Sequence, residues 1–176
     1  MKDIEIEIVD NFETFQAIRN HWDAVYKTDP EAQFFLSWTW ISGVVKRLCS
    51  HSRAAWFILA AKSTAPTSEY VAFFPLEIGI AEHPEGWLQS RLSMMGVADS
   101  EHLGFICLPE YEVAVTSAFA KFLQQQQETW STFEVANIQT SKCRMSRFLD
   151  QFSTETFESV LKSRSVLQNN RRQVPD

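Results

Sequence analysis

The sequence predicts a mixed α+β sandwich with a largely antiparallel sheet at its centre. Three observations carry this. The run Glu69–Ile80, EYVAFFPLEIGI, is the longest nearly continuous apolar stretch, set between a Pro-Thr-Ser loop and Glu82-His83-Pro84-Glu85-Gly86. Its Val, Ile and Phe content and its bracketing turn residues read as a strand buried on both faces. A second apolar run, Ala55–Ala61, is joined to it by the short polar loop Lys62–Ser68, which favours an antiparallel hairpin. Segments with helical spacing lie on both sides of this pair, so helices flank the sheet.

Taken in order, Ile4, Ile6 and Ile8 alternate with Glu5 and Glu7, the pattern of a half-buried strand. Asp10 and Glu13 have capping-box spacing, and Phe12, Phe15, Ile18, Trp22 and Val25 recur at helical intervals up to Asp29-Pro30. Ser37 is placed to cap a second helix with the stripe Ile41, Val44, Val45 and Leu48. Trp38 and Trp40 fall on different faces of its first turn, so both cannot enter one core. In the long strand, Pro75 removes a backbone donor, which calls for a kink, a bulge or an edge position.

Leu88–Met95 is ambiguous between a short strand and a helical turn, and Leu103–Leu108 reads as a strand. Pro109 suits the first position of a new helix, with Glu110 and Glu112 favourable at its positive end. Val115, Ala118, Phe119, Phe122 and Leu123 form its apolar stripe. Phe133, Val135 and Ile138 suggest another strand, and Met145, Phe148, Leu149 and Phe152 another helix. Residues 1–153 form one domain. Residues 154–176 read as a basic helical tail, with Val160 and Leu161 followed by Lys162, Arg164, Arg171 and Arg172.

Composition excludes several functions. Net charge is −6, which argues against a nucleic-acid partner. No apolar run approaches the ~20 residues needed to span a bilayer. MKDIEIEIVD lacks the apolar core of a signal peptide, so a cytoplasmic location is expected. Cys49, Cys107 and Cys143 are odd in number and far apart, and read as reduced, mostly buried thiols and not as a metal site. The sequence contains no Gly-x-Ser-x-Gly, Gly-x-x-x-x-Gly-Lys, Gly-x-Gly-x-x-Gly or His-Glu-x-x-His motif.

The most polar insertion between apolar elements is Gly96–His102. Asp99, Glu101 and His102 lie there within four residues. A carboxylate near His102 would orient the imidazole for acid/base work near neutral pH. The alternative is a turn whose Asp bonds its own backbone. Trp38 and Trp40 are candidates to wall a ligand groove, or else belong to a core or interface. His21, His51 and His83 read as packed, helix-capping and loop residues.

Three blocks resemble a known family. They are Trp22-Asp23-Ala24-Val25 followed by Phe34-Phe35-Leu36-Ser37-Trp38-Thr39-Trp40; Tyr70–Leu76; and Met95-Gly96 through Asp99 to Leu108-Pro109-Glu110. Their order resembles the amino-terminal half of GNAT-like acetyltransferases associated with cellulose and exopolysaccharide synthesis, distantly related to Fem-type aminoacyl transferases. The tail from Phe157 to Gln173 resembles the element that leads to that family's second half.

The resemblance implies a GNAT-like mixed sheet flanked by helices. It also implies acetyl-CoA or another acyl-CoA as cofactor, and a small-molecule or sugar-precursor substrate. Asp99 and His102 then stand as candidate catalytic groups, with Trp38, Trp40 and Glu101 as substrate contacts. In the family the second half carries the pyrophosphate loop, and no such loop occurs in this sequence. The expectation is therefore a substrate-side half of such an enzyme. The rival expectation is a non-enzymatic module that dimerises or docks a partner chain.

Overall fold

A computed structural model describes residues 3–50, 54–64, 68–138 and 143–153. The expected tail, 154–176, and His51 lie outside the described residues. The observed fold is a mixed α+β architecture whose sheet is mostly antiparallel and carries helices on both faces, in agreement with the sequence reading.

Strand β1 (Ile4–Val9) pairs antiparallel with β2 (Ala54–Ser63). β2 pairs antiparallel with β3 (Tyr70–Glu82), which closes the expected hairpin. The other side of β3 is shared by two strands. β4 (Leu88–Met94) pairs with Leu76–Glu82, and the two-residue β5 (Ile106–Cys107) pairs with Ala72 and Phe73. β6 (Thr132–Glu134) adds parallel to β4. Leu88–Met95 thus resolves as a strand. Of Leu103–Leu108 only β5 joins the ladder; Leu103 N donates instead to the Asn137 carbonyl.

The seam between β4 and β5 accounts for Pro75. β3 is a central strand, and its register with β2 runs through Pro75 without a shift. The expected kink, bulge or edge position is therefore not needed. The Pro75 carbonyl accepts from Met95 N at 3.1 Å. In an antiparallel strand a residue's N–H and C=O point to the same side, so the missing donor faces the gap between β5 and β4. Only Val71–Leu76 are fully buried; Glu77–Gly79 are partly open to solvent and Ile80 is exposed, so the strand is not doubly covered to its end.

One face of the sheet carries α1 (Phe12–Ala17), α2 (Arg19–Thr28) and α3 (Trp38–Cys49). The single helix expected over 12–28 breaks at Ile18, and its cap is Asn11, whose Oδ1 accepts from Thr14 N at 2.9 Å; Asp10 plays no capping part. Phe12 points outward at 42% exposure, while Phe15, Ile18, Trp22 and Val25 are buried as the stripe requires. Ser37 caps α3 as expected, accepting from Trp40 N. The core here is aromatic. Trp22 stacks on Phe73 at 4.9 Å, and Trp38 stacks on Phe15 at 4.2 Å.

The other face carries α4 (Glu112–Gln125) and the short α5 (Arg144–Leu149). A single 3-10 turn, Pro109–Tyr111, leads into α4, so Pro109 does open the helical segment. Val115, Phe119 and Leu123 are buried against Leu59, Phe74 and Leu76 of the sheet. Phe148 of α5 fills the space beside Phe74 and Phe105. Cys107 is buried as expected, but Cys49 and Cys143 are exposed, since each sits at a helix terminus instead of on an apolar stripe.

Candidate functional site

The Gly96–His102 turn follows β4 directly and is held from four directions. Gly96 has φ +78, and a Cβ there would come within 3.0 Å of Ser100 Oγ and 3.3 Å of Val44, so glycine is required on both counts. Asn137 donates through Nδ2 to the carbonyls of Val97 (2.9 Å) and Ser100 (2.8 Å), and its own carbonyl accepts from Leu103 N (2.9 Å). Asn137 does this at φ +56, a conformation that asparagine tolerates better than most residues. Trp40 donates its indole N–H to Ser100 Oγ at 2.8 Å. On the β3 side the Glu77 carboxylate accepts from Ser93 Oγ, with Gly96 N close by. Burial holds the Glu77 carboxyl above its ordinary value, and those two donors pull against the shift.

Within this turn the candidate groups face different surroundings. Asp99 forms an exposed ion pair with Arg47, at 2.7 Å, near the last turn of α3. His102 adopts φ +55, a left-handed conformation that is uncommon outside glycine and asparagine and that occurs at functional turns. It borders a small hollow of about 30 Å³ together with Glu31, Gln33, Leu36 and Met145, enough for about one water. Glu101 is exposed. No hydrogen bond joins Asp99 to His102 among the described residues, so the structure places these two on one turn without pairing them.

The two tryptophans separate as their spacing required. Trp38 is 6% exposed and belongs to the aromatic core, not to an open groove. Trp40 is half-buried, in edge contact with Phe35 at 5.0 Å and tilted against Phe34 at 5.6 Å. Trp40, Phe34 and Phe35 therefore form an aromatic shelf beside Ser100.

The strongest polar constellation was not anticipated. Arg144, on α5, reaches through the core to Asp29, which follows α2, in a two-pronged pair of 2.6 and 2.8 Å. The Asp29 side chain is fully buried and that of Arg144 nearly so. Arg144 also donates to Glu112 Oε2 and to the Phe105 carbonyl, while Asp29 accepts from the backbone N–H groups of Cys107 (2.9 Å) and Glu31 (2.8 Å). Burial lowers the guanidinium's affinity for its proton, but the bonds to Asp29 and Glu112 outweigh that and hold its pKa above the ordinary value. Burial pushes the neighbouring Cys107 thiol up to about 12, so it stays protonated and unreactive. With every donor and acceptor matched, this network ties α2, β5, α4 and α5 together. The only sequence signal for it is a charged residue beside the apolar Met145 and Phe148.

A second unanticipated feature is an apolar groove of about 340 Å³ on the α4 face. Ile8, Phe57, Ile78 and Leu92, one from each of β1 to β4, floor it. Phe122 and Leu123 of α4 and Trp130 wall it; Trp130 is fixed by donating its indole N–H to the Leu123 carbonyl. Asp10, Gln126 and Thr129 lie at the rim. Its volume falls in the usual range for small-ligand sites, roughly 300–1,000 Å³.

Among the described residues no three His, Cys, Asp or Glu side chains cluster to hold a metal ion, and no helix is long and apolar enough to cross a membrane. Two of the described helix starts do not suit a pyrophosphate. α4 opens on Glu110 and Glu112, the latter engaged by Arg144 and Arg147, and the first turn of α3 is capped by Ser37 and flanked by tryptophans.

No family model and no curated protein matches the chain. Among solved structures it is similar to the aminoglycoside 6'-N-acetyltransferase AAC(6')-Ih from Acinetobacter baumannii, with 11% identity, 92% of this chain and 99% of that one covered, and a TM-score of 0.48. It is similar also to a transcriptional regulator from Bacillus halodurans (8% identity, 90% and 99% covered, TM-score 0.47) and to an acetyltransferase from Trypanosoma brucei (12% identity, 92% and 100% covered, TM-score 0.44). With each of these TM-scores below one half, such likenesses assign neither a fold family nor an activity to this chain.

Proposed function

We propose that this chain is the substrate-side half of a GNAT-like acyltransferase that modifies an amine or hydroxyl of a sugar or cell-envelope precursor in the cytoplasm. In this reading a second half holds the acyl-CoA. The observation that carries it is the convergence of the three blocks that resemble the family. Trp22 of the first block donates to the Leu36 carbonyl and stacks on Phe73 of the second. Pro75 of the second accepts from Met95 of the third, and Trp40 of the first donates to Ser100 in the third. Blocks spread over 89 positions of sequence, Trp22 to Glu110, thus pack against one another, and Pro75 and Trp40 reach the start and middle of the Met95–His102 segment.

At the Gly96–His102 turn, and on the first turn of α3 beside it, the residues have separate tasks. Trp40 offers an aromatic face of the kind that packs on a sugar ring. Asp99 and Glu101 present hydrogen-bond acceptors for hydroxyls. His102 serves as the proton acceptor at the edge of the hollow, the role best suited to imidazole near neutral pH. The test is kinetic. Asp99→Ala and His102→Ala, introduced at the equivalent positions of a tandem relative with measurable turnover, are expected to lower kcat/KM by about 10²-fold or more for the histidine. Unchanged kinetics in both would remove the turn from the site.

A second reading, a docking or self-association module, is favoured by the β3–β4 arm. Ile80 (66% exposed) and Leu88 (73% exposed) face outward there, and Trp87 stacks on His83 at 3.7 Å. Apolar side chains of this size in one exposed patch are typical of interaction surfaces. Size-exclusion chromatography with light scattering distinguishes the two. A concentration-dependent dimer abolished by Leu88→Lys supports docking, and a monomer at all concentrations sinks it.

A further inference from the structure

The sheet ends unequally. One edge is β6, of 3 residues; the other is β1, of 6 residues, and among the described residues no strand lies on its outer side. The register settles which backbone groups of β1 are open. Thr64 N donates to the Asp3 carbonyl at 3.2 Å, and these two residues continue the β1–β2 register by one step. In an antiparallel pair such bonding positions recur at every second residue, so Glu5, Glu7 and Val9 turn their N–H and C=O toward β2. Ile4, Ile6 and Ile8 turn theirs outward, where they meet no backbone partner among the described residues. A row of this kind is a template for one more strand.

The side chains say which strand fits. Ile4 and Ile6 pack against the core of the α4 face, and Ile8, 50% exposed, lies on that face at the groove beside Phe57. Residues opposite these on an added strand share the same face, so apolar side chains suit them, and the one opposite Ile8 stands at the mouth of the groove. Glu5 and Glu7 project to the other face. Glu7 is engaged by Lys62 and by the Tyr70 hydroxyl at 3.1 Å, whereas Glu5 is exposed and has no ion pair among the described residues. A cation opposite Glu5 completes the match.

A second copy of this chain is a poor occupant. Antiparallel pairing about a two-fold axis sets residue i opposite j and j opposite i. In the registers that overlap most of β1, centring on Glu5 or Glu7 sets that glutamate opposite itself, and centring on Ile6 sets Glu5 opposite Glu7. Like charges directly opposite are destabilising. The same carboxylates that discourage self-pairing favour a basic partner.

We propose that β1 is a docking edge for an extended segment of a partner protein, added antiparallel, with apolar side chains opposite Ile4, Ile6 and Ile8 and a lysine or arginine opposite Glu5. None of these residues belongs to the Gly96–His102 turn or to the β3–β4 arm, so this inference stands or falls apart from both readings of function.

The test uses the full chain and the probe peptide acetyl-Ser-Phe-Thr-Val-Lys-Val-Ser-amide with a fluorescent tag, which places Phe opposite Ile8 and Lys opposite Glu5. N-methylation of its Phe and both Val removes the N–H groups that face β1 and is expected to weaken binding about tenfold or more. N-methylation of its Thr and Lys, whose N–H groups face away, is expected to leave affinity within about twofold. Replacing the probe's Lys by Glu is expected to weaken binding to the native chain and to strengthen binding to the Glu5→Lys variant. Amide hydrogen exchange gives a second readout. In the free chain Ile4, Ile6 and Ile8 are expected to exchange about tenfold or more faster than Glu5, Glu7 and Val9, and to become protected when the probe binds. Equal effects of the two N-methylation patterns, or an unchanged charge preference in Glu5→Lys, would overturn the proposal. So would protection of Ile4, Ile6 and Ile8 in the free chain that grows with protein concentration, which would give the edge to a second copy.

Discussion

The two faces of the sheet are built on different principles. Over α1–α3 the sheet is sealed by a single aromatic core, in which Phe15 and Trp38 stack, Trp22 and Phe73 stack, and Trp22 meets Phe15 and Trp38 edge-on, with no described cavity of ligand size among them. Over α4 and α5 the cover is partial. α4 protects β1 at Ile4 and Ile6 but leaves Ile8 half exposed, and a groove opens where its last turn ends. The second face is held by its own apolar core, with Phe74, Phe105, Phe119 and Phe148 in contact, and in addition by the buried Asp29–Arg144–Glu112 network, which pins both helices to the chain that precedes and forms β5. A face closed by packing alone has little room for a ligand. A face clamped at one end by charge can leave the other end open, and there the fold has surface to offer.

This contrast can be broken most forcefully at the clamp. Arg144→Met leaves the Asp29 carboxylate buried without its counter-charge, and is expected to cost about 3–5 kcal/mol. Arg47→Met, at the exposed pair with Asp99, is expected to cost less than about 1 kcal/mol. Urea denaturation of both variants checks the ratio, and similar midpoints would mean the network is not the clamp described.

Matched deletions on the two faces give the next largest difference. Phe73→Ala, within the sealed core, is expected to destabilise by about 3–5 kcal/mol. Phe57→Ala, on the groove floor, is expected to cost about 1–2 kcal/mol, because less apolar area leaves contact with protein. Ser37→Ala, which removes the cap of α3, follows at about 1 kcal/mol; thermal melts resolve all three.

The smallest effect is one of pH. Burial raises the Glu77 carboxyl, so the folded protein holds this proton more tightly than the unfolded chain does. Between the ordinary carboxylate pKa and the raised one, stability therefore falls as pH rises. Glu77→Gln removes that slope, and melting temperatures of the two proteins measured from pH 4 to 7 are expected to diverge with the variant gaining relative to the native chain.

Features set by neighbours in sequence were legible before the structure. The alternation of β1, the Ser37 cap, the β2–β3 hairpin, the Pro109 start and the opposed faces of Trp38 and Trp40 all follow from local periodicity and capping chemistry. Features set by distant partners were not. Asp29 and Arg144 are 115 residues apart, and alone each reads as a helix-end acid and a stray cation. The tolerance of Pro75 in a central strand depends on where β4 ends and β5 begins. The choice of Asn11 over Asp10 as cap turned on a shift of one residue, which composition cannot fix. For the candidate site, the turn was visible as a polar insertion, but its rigidity comes from Asn137 and Trp40, which no local pattern links to it. That Asp99 turns to Arg47 and away from His102 is likewise a tertiary fact.

The central functional claim is that this chain supplies the acceptor side of an acyl transfer and leaves the acyl-CoA to a second half. Calorimetric titration of the purified chain with acetyl-CoA tests it most directly. The account predicts no binding heat at millimolar cofactor. A micromolar Kd, roughly −8 kcal/mol of binding free energy, would contradict it and make this chain a cofactor-binding enzyme on its own.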